Sequence, residues 1–261
     1  MTDTNISFFR MFYVNCQGAI MDSITPGVKF GGEVTRAVQI SRFADCTPEK
    51  AASVVALQKL FSMSSLFFIL LFVVGFLFNE TAFLSSLFLQ IMVYGGLLAV
   101  LLLFGAIFCA PVFLKSKLES SGTPRFKWVR RVKAFMYTLF EQVIKIRGDM
   151  KKCLLLLLLA FFIWFLFPVK LYITAILFIP DISPIFVGAT AFSAYMVALI
   201  PVFPGGLGGF EGVMTGLLTI GGFQISDAAA VTIFFRFITF WFVMLGSLIF
   251  VGAKGLRKFE V

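Results

Sequence analysis

Long apolar runs constrain this chain more than any other feature. Residues 60–78, 83–110, 153–179, 184–202 and 228–253 are each about as long as the roughly 20 residues an α-helix needs to cross a ~30 Å hydrocarbon core. Asn79-Glu80, Pro111 and Pro180-Asp181 mark expected ends of runs. Hydrophobic residues make up 60% of the chain and charged ones 13%. Soluble domains carry about 25% charge, so a water-soluble core could not absorb this apolar surface, whereas lipid solvates it directly. The expected fold is all-α, a polytopic membrane helix bundle with helices crossing the cell membrane. Two weaker segments, 6–21 and 208–222, contain Arg10, Asn15 and Gln17 or are too short to span. They read as broken or re-entrant helices, which a bilayer tolerates only where protein or a polar cavity surrounds them.

Charge sets an expected orientation. Of the 22 Lys and Arg, eleven lie between positions 111 and 152, against three acids there. A basic block between spans belongs in the cytoplasm, facing anionic headgroups. The 111–152 loop and the tail with Lys254, Arg257 and Lys258 are therefore expected inside, and residues 79–81 and 180–183 outside. Within the loop, Val129, Val132, Met136, Leu139, Val143 and Ile146 recur at spacings of three and four, the stripe of an amphipathic helix. Such a helix either lies on the inner membrane surface or packs on the cytoplasmic end of the bundle. No basic-aromatic module of a nucleic-acid binder accompanies the block, so nucleic acid is not an expected partner.

Histidine is absent, and Cys16, Cys46, Cys109 and Cys153 are scattered without a C-x-x-C pair. No metal site, cofactor or His-based catalytic constellation is expected.

One motif occurs twice. Pro26-Gly27-Val28-Lys29-Phe30-Gly31-Gly32-Glu33 and Pro204-Gly205-Gly206-Leu207-Gly208-Gly209-Phe210-Glu211 share Pro, Gly, Gly and Glu when aligned without gaps. An Ala-rich helix follows each copy, reaching Lys59 26 residues after Glu33 and Arg236 25 residues after Glu211. With the orientation above, the two halves would be inverted repeats, the architecture that places broken helices at a midplane binding site. A short helix after a Pro-Gly turn points unpaired N–H groups and a positive dipole end at an anion such as phosphate. The simpler reading is a helix break capped by Glu33 or Glu211.

Ionisable groups inside spans are costly and usually pair or line a pathway. Arg236, flanked by Ile233-Phe234-Phe235 and Phe237-Ile238, is expected to form a bidentate pair with Glu211. Glu33 and Arg36, three apart, are expected to pair locally. Lys170, mid-span after Pro168, is expected to face the bundle interior, and Lys59 to snorkel from a span end. The candidate anion site comprises Glu33, Arg36, Gly205, Gly206, Gly208, Gly209, Glu211 and Arg236, with the first-motif residues approaching from the other side.

The segment Pro201-Val202-Phe203-Pro204-Gly205-Gly206-Leu207-Gly208-Gly209-Phe210-Glu211 and the arginine-bearing aromatic helix 228–241 resemble the lysylphosphatidylglycerol synthase transmembrane region, or flippase-like, family. Thr25-Pro26 with Gly31-Gly32-Glu33 and Arg36 resembles that family's other motif. The resemblance spans residues 6–253 and implies one flippase-like membrane domain over residues 1–261, short at its N-terminus, without the soluble aminoacyl-transferase domain of bifunctional members. Gln58-Lys59 and Phe210 depart from the acid-Arg pair and the Arg that the family often carries there. The resemblance implies a flippase or transporter that moves a phospholipid or polyprenyl-phosphate lipid between leaflets. The alternative is the membrane subunit of a lipid-modifying enzyme, for aminoacyl or glycosyl transfer, working with a soluble transferase. Anionic membrane lipids are the expected partners in both cases, and self-association is compatible with either.

Overall fold

The computed structural model describes residues 6–25, 30–80, 87–120, 126–198 and 206–256. Among these, every regular element is a helix. The chain forms two compact units, one of Ile40–Trp164 and one of Ile6–Gln39 with Phe165–Val261.

The first unit holds α3 (Pro48–Glu80), α4 (Leu87–Cys109), α5 (Pro111–Ser120), α6 (Lys127–Arg147) and the start of α7 (Met150–Ala175). Within α3, Pro48–Val73 is long and apolar enough to cross a membrane. The helix continues to Glu80, so Asn79-Glu80 lies in its last turn rather than breaking it. Pro111 does end a helix: α4 and α5 meet at a 79° bend. Proline lacks an N–H and has a preset φ, so it is well suited to the first position of α5. Two contacts from α6 hold the bend. Arg147 Nη1 donates to the Cys109 carbonyl at 2.7 Å, and Lys115 Nζ reaches Glu141 Oε1 at 3.0 Å.

The apolar stripe of α6 is divided along its length. Leu139, Val143 and Ile146 are buried against Leu57 and Phe61 of α3 and Cys153 and Leu156 of α7. Val132 and the neighbouring Phe126 and Trp128 are exposed. The C-terminal half of the stripe thus packs inside the unit, and only the N-terminal half remains for an outside surface. Leu139→Ala should accordingly cost about 2–5 kcal/mol, whereas Val132→Ala should stay within about 0.5 kcal/mol. Denaturant titration in detergent micelles measures both, and equal effects would contradict the packing.

The second unit contains α1 (Phe8–Ile24), most of α2 (Phe30–Phe43), the end of α7, α8 (Pro184–Ala198), α9 (Gly209–Ile220), α10 (Ile225–Arg236), a π-helical turn (Phe237–Trp241) and α11 (Phe242–Leu256). Met150–Ala175 and Ile225–Lys254 are each long and apolar enough to span. With 15 and 12 residues, α8 and α9 are shorter, and the end of the 184–202 run lies outside the described residues. The core gathers Leu171, Val187, Phe210, Met214, Val231 and Phe235. Thr215 Oγ1 donates to Thr232 Oγ1 at 3.1 Å between α9 and α10. On the other flank α1 packs along α11, with Phe12 edge-on to Phe250 at 4.8 Å. Lys170 is exposed rather than directed into the bundle. It lies five residues before the end of α7 at Ala175, and its flexible stem can carry the ammonium outward.

The two motif copies open segments of matching design. After the first come α2, a turn of residues 44–47, and α3; after the second come α9, a turn of residues 221–224, and the helical run from Ile225. Asp45 (φ 45°) and Gly222 (φ 98°), each second in its turn, adopt the left-handed conformation. The next N–H reaches five residues back in both, Cys46 to the Ser41 carbonyl and Phe223 to the Leu218 carbonyl, each at 3.2 Å. This is the Schellman ending of a helix, formed at corresponding places in both copies. Thirteen residues beyond these N–H donors stand Lys59 and Arg236, each twelfth in its long helix.

Candidate functional site

The second motif leads into a helix start that demands glycine. Pro204 and Gly205 lie outside the described residues, and Gly206 (φ 72°) and Gly208 (φ 88°) take left-handed conformations. At Gly206 a Cβ would lie 2.7 Å from the Ala198 Cβ, so the α8 backbone closes off that space. Gly208 caps α9, which begins at Gly209. Glu211, third in the helix, turns back so that its Oε2 accepts the Gly208 N–H at 2.7 Å. That is the reciprocal half of a capping box, and it fixes the carboxylate over the helix start.

Glu211 Oε1 faces α10, where Arg236 Nε lies 2.9 Å away. The expected pair therefore forms, but not as the parallel, bidentate fork. The carboxylate is divided between a backbone N–H and a guanidinium. The Nε–H makes no aligned hydrogen bond, so the short separation is a charge contact with oblique geometry. Helix capping takes the second carboxylate oxygen away from the fork.

Two aromatic rings flank Arg236. The guanidinium carbon is 4.7 Å from the Phe210 ring centroid and 4.6 Å from that of Phe240, both inside the ~6 Å range of cation–π attraction. Phe210 is 1% exposed and stacks parallel to Phe235 at 6.3 Å. Arg236 itself is 8% exposed. Beside the pair runs a groove of about 380 Å³ lined by Ile233, Phe237, Trp241 and Leu245, with Glu211 and Arg236 at its polar edge. The four apolar residues are all exposed, so the groove opens on the outer face of the helical run. The π turn begins immediately after Arg236, and Thr239 Oγ1 donates to the Phe235 carbonyl within it at 2.8 Å. Such turns insert one residue into a helix and cluster at functional sites.

The first motif is built differently from expectation. Pro26, Gly27, Val28 and Lys29 lie outside the described residues. Glu33 is in the first turn of α2. Arg36 pairs not with Glu33 but with Asp22 of α1, Nη2 to Oδ2 at 3.0 Å. Local i,i+3 spacing permits the Glu33 pair, but α1 brings a carboxylate held in place by the α2 backbone. The other Asp22 oxygen accepts the Gly32 N–H at 3.0 Å.

Sequence reasoning missed Asp22, which lies ten positions before Gly32 and on a different helix. It also missed Phe210 and Phe240 as shelves for Arg236. A signal existed for Phe240, which follows Arg236 by four residues on the same helical face. Lys59, twelfth in a helix that starts at Pro48, stands well inside the α3 span rather than near its end.

Residues 2–247 match the family described as the Lysylphosphatidylglycerol synthase TM region. A curated "UPF0104 membrane protein" from Methanothermobacter thermautotrophicus is 25% identical over 252 residues, covering 90% of this chain and 72% of its own length. No solved structure matches the chain.

Proposed function

From the premise that the chain belongs to the lysylphosphatidylglycerol synthase transmembrane family, we propose that it moves a lipid with a phosphate headgroup, a phospholipid or polyprenyl phosphate, between membrane leaflets. One observation carries this reading above the others. A nearly buried guanidinium, braced by Glu211 and two rings, stands at the polar edge of an outward-open apolar groove. A lipid presents the complementary pair, an anionic phosphate joined to a hydrocarbon chain. Arginine at low dielectric favours a phosphate strongly, while the positive end of α9 adds a fixed dipole of the same sign. In this reading Arg236 and the α9 start, with its glycines, hold the phosphate. Glu211 orients the guanidinium, and Ile233, Phe237, Trp241 and Leu245 take the chain. Glu33 and Arg36 of the first motif approach the headgroup from the opposite side.

Reconstitution tests the proposal. Purified protein in proteoliposomes should expose inner-leaflet fluorescent phosphatidylglycerol to dithionite faster than empty vesicles do. Equal rates for headgroup-labelled phosphatidylglycerol and a polyprenyl phosphate analogue in both preparations would refute it.

Orientation belongs to the same proposal. The positive-inside rule places the 111–152 loop and the C-terminal tail in the cytoplasm. With the native cysteines replaced, Lys117→Cys should resist an impermeant maleimide in intact cells and react after permeabilisation. Labelling in intact cells would reverse the topology.

A further inference from the structure

We propose that Asp22 is a positioning residue that presents Arg36 to a phosphate, making the contact of α1 with α2 a second anion half-site. This rests on the proposed lipid reading only for the chemical class of the ligand. Asp22 is clamped from both sides, Oδ1 by the Gly32 N–H and Oδ2 by Arg36 Nη2, each at 3.0 Å. Glu211 is divided in the same way, between the Gly208 N–H and Arg236. The two copies thus make one device with carboxylates from different places, from the preceding helix α1 in one and from within α9 itself in the other.

Glycines clear the space that this device needs. A Cβ on Gly32 would overlap the Asp22 carboxyl group, and one on Gly18 would lie 2.6 Å from Arg36 Nε and 2.7 Å from Cζ. The guanidinium therefore rests against the α1 backbone at Gly18, where any larger residue would displace it. Arginine carries five N–H donors, and among the described residues Asp22 takes the one hydrogen bond that Arg36 donates. Its side chain is 21% exposed and that of Asp22 12%, so the guanidinium is held in a fixed direction with part of it accessible to an incoming anion. A phosphate oxygen fits those donors, whereas Asp22 supplies orientation and prevents the guanidinium from swinging away.

The whole chain, in neutral detergent micelles with isotope-labelled arginine, is titrated with dihexanoylphosphatidylglycerol and separately with inorganic phosphate. The side-chain N–H signals of Arg36 and Arg236 are followed by NMR. Both should shift with the lipid. Asp22→Asn should weaken the Arg36 response on the order of tenfold, the loss of a charge-assisted hydrogen bond, while leaving that of Arg236 in place. Asp22→Glu should restore most of it. Gly18→Ala, which displaces the guanidinium without touching the carboxylate, should give the same selective loss and serves if Asp22→Asn does not fold. An equal response to inorganic phosphate assigns the half-site to the phosphate group itself, and a response to the lipid alone assigns it to a lipid-borne phosphate. An unchanged Arg36 response in Asp22→Asn or Gly18→Ala, or a silent Arg36 beside a responding Arg236, overturns the half-site and leaves the lipid reading standing. Silence of both arginines removes the lipid reading as well.

Discussion

Replacing Arg236 with alanine is expected to destabilise the protein by about 3–5 kcal/mol and, on the proposed function, to abolish lipid movement. Truncation leaves Glu211, part-buried at the edge of the groove, with the Gly208 N–H as its remaining partner among the described residues, and it removes the cation from between Phe210 and Phe240. The loss is one of compensation, not of contact area. Removing both charges in Arg236→Met/Glu211→Gln should therefore restore much of the stability and none of the transport. Arg236→Lys should also fail in transport. Lysine places a methylene where arginine has the Nε that lies 2.9 Å from Glu211, and it has no planar face to lie between two rings. Denaturant titration in micelles and the dithionite assay measure the two quantities separately. Wild-type transport in Arg236→Lys would mean that a point charge suffices, and the oriented guanidinium would lose its role.

The second large effect is expected at Phe210. Its side chain is fully enclosed, stacks on Phe235 and forms one shelf for Arg236. Phe210→Ala should cost about 3–5 kcal/mol through the lost transfer energy and the cavity left behind. Phe210→Leu refills much of that volume without an aromatic face. It should recover a large part of the stability, yet leave Arg236 less ordered and transport reduced. Cation–π attraction in a desolvated setting contributes about 2 kcal/mol, so the transport defect should exceed what the remaining instability explains. Full transport in Phe210→Leu would reduce the ring to a space filler.

Most of the fold could be read from the sequence because each long run had to become a helix. In hydrocarbon no other arrangement of a single segment satisfies its own backbone. The Glu211–Arg236 pair was legible for a related reason, since a charge set in aromatic and aliphatic sequence needs a nearby opposite charge. Its geometry was not. The capping bond from Gly208 is a backbone decision made at the helix start, and it turns an expected fork into a divided carboxylate. Arg36 shows the other limit. Sequence spacing favours Glu33, three residues away, but Asp22 is selected by how closely α1 approaches α2 over Gly18 and Gly32. The α6 stripe has one periodicity along its whole length, so nothing in the pattern reveals that Leu139, Val143 and Ile146 meet α3 while Val132 does not. Lys170 was misjudged for lack of a helix end, since its distance from Ala175 sets whether its stem can reach out.

The π turn at Phe237–Trp241 has a genetic consequence. Such a turn is an α-helix with one residue too many, and α3 carries no counterpart between Pro48 and Glu80. Counted from the two motif copies, the helical run from Ile225 and α3 therefore fall out of phase directly after Arg236, by about 100°, the angle of a single residue. Everything beyond that point in the second half, Leu245 and the surface of α11 that meets α1 included, has been dealt to a different side of the helix than its equivalent in α3. A one-codon deletion among positions 237–241 would remove that offset in a single step, rotating Leu245 out of line with Arg236 and turning Lys254 with the rest of α11, while Glu211 and Arg236 stay in place.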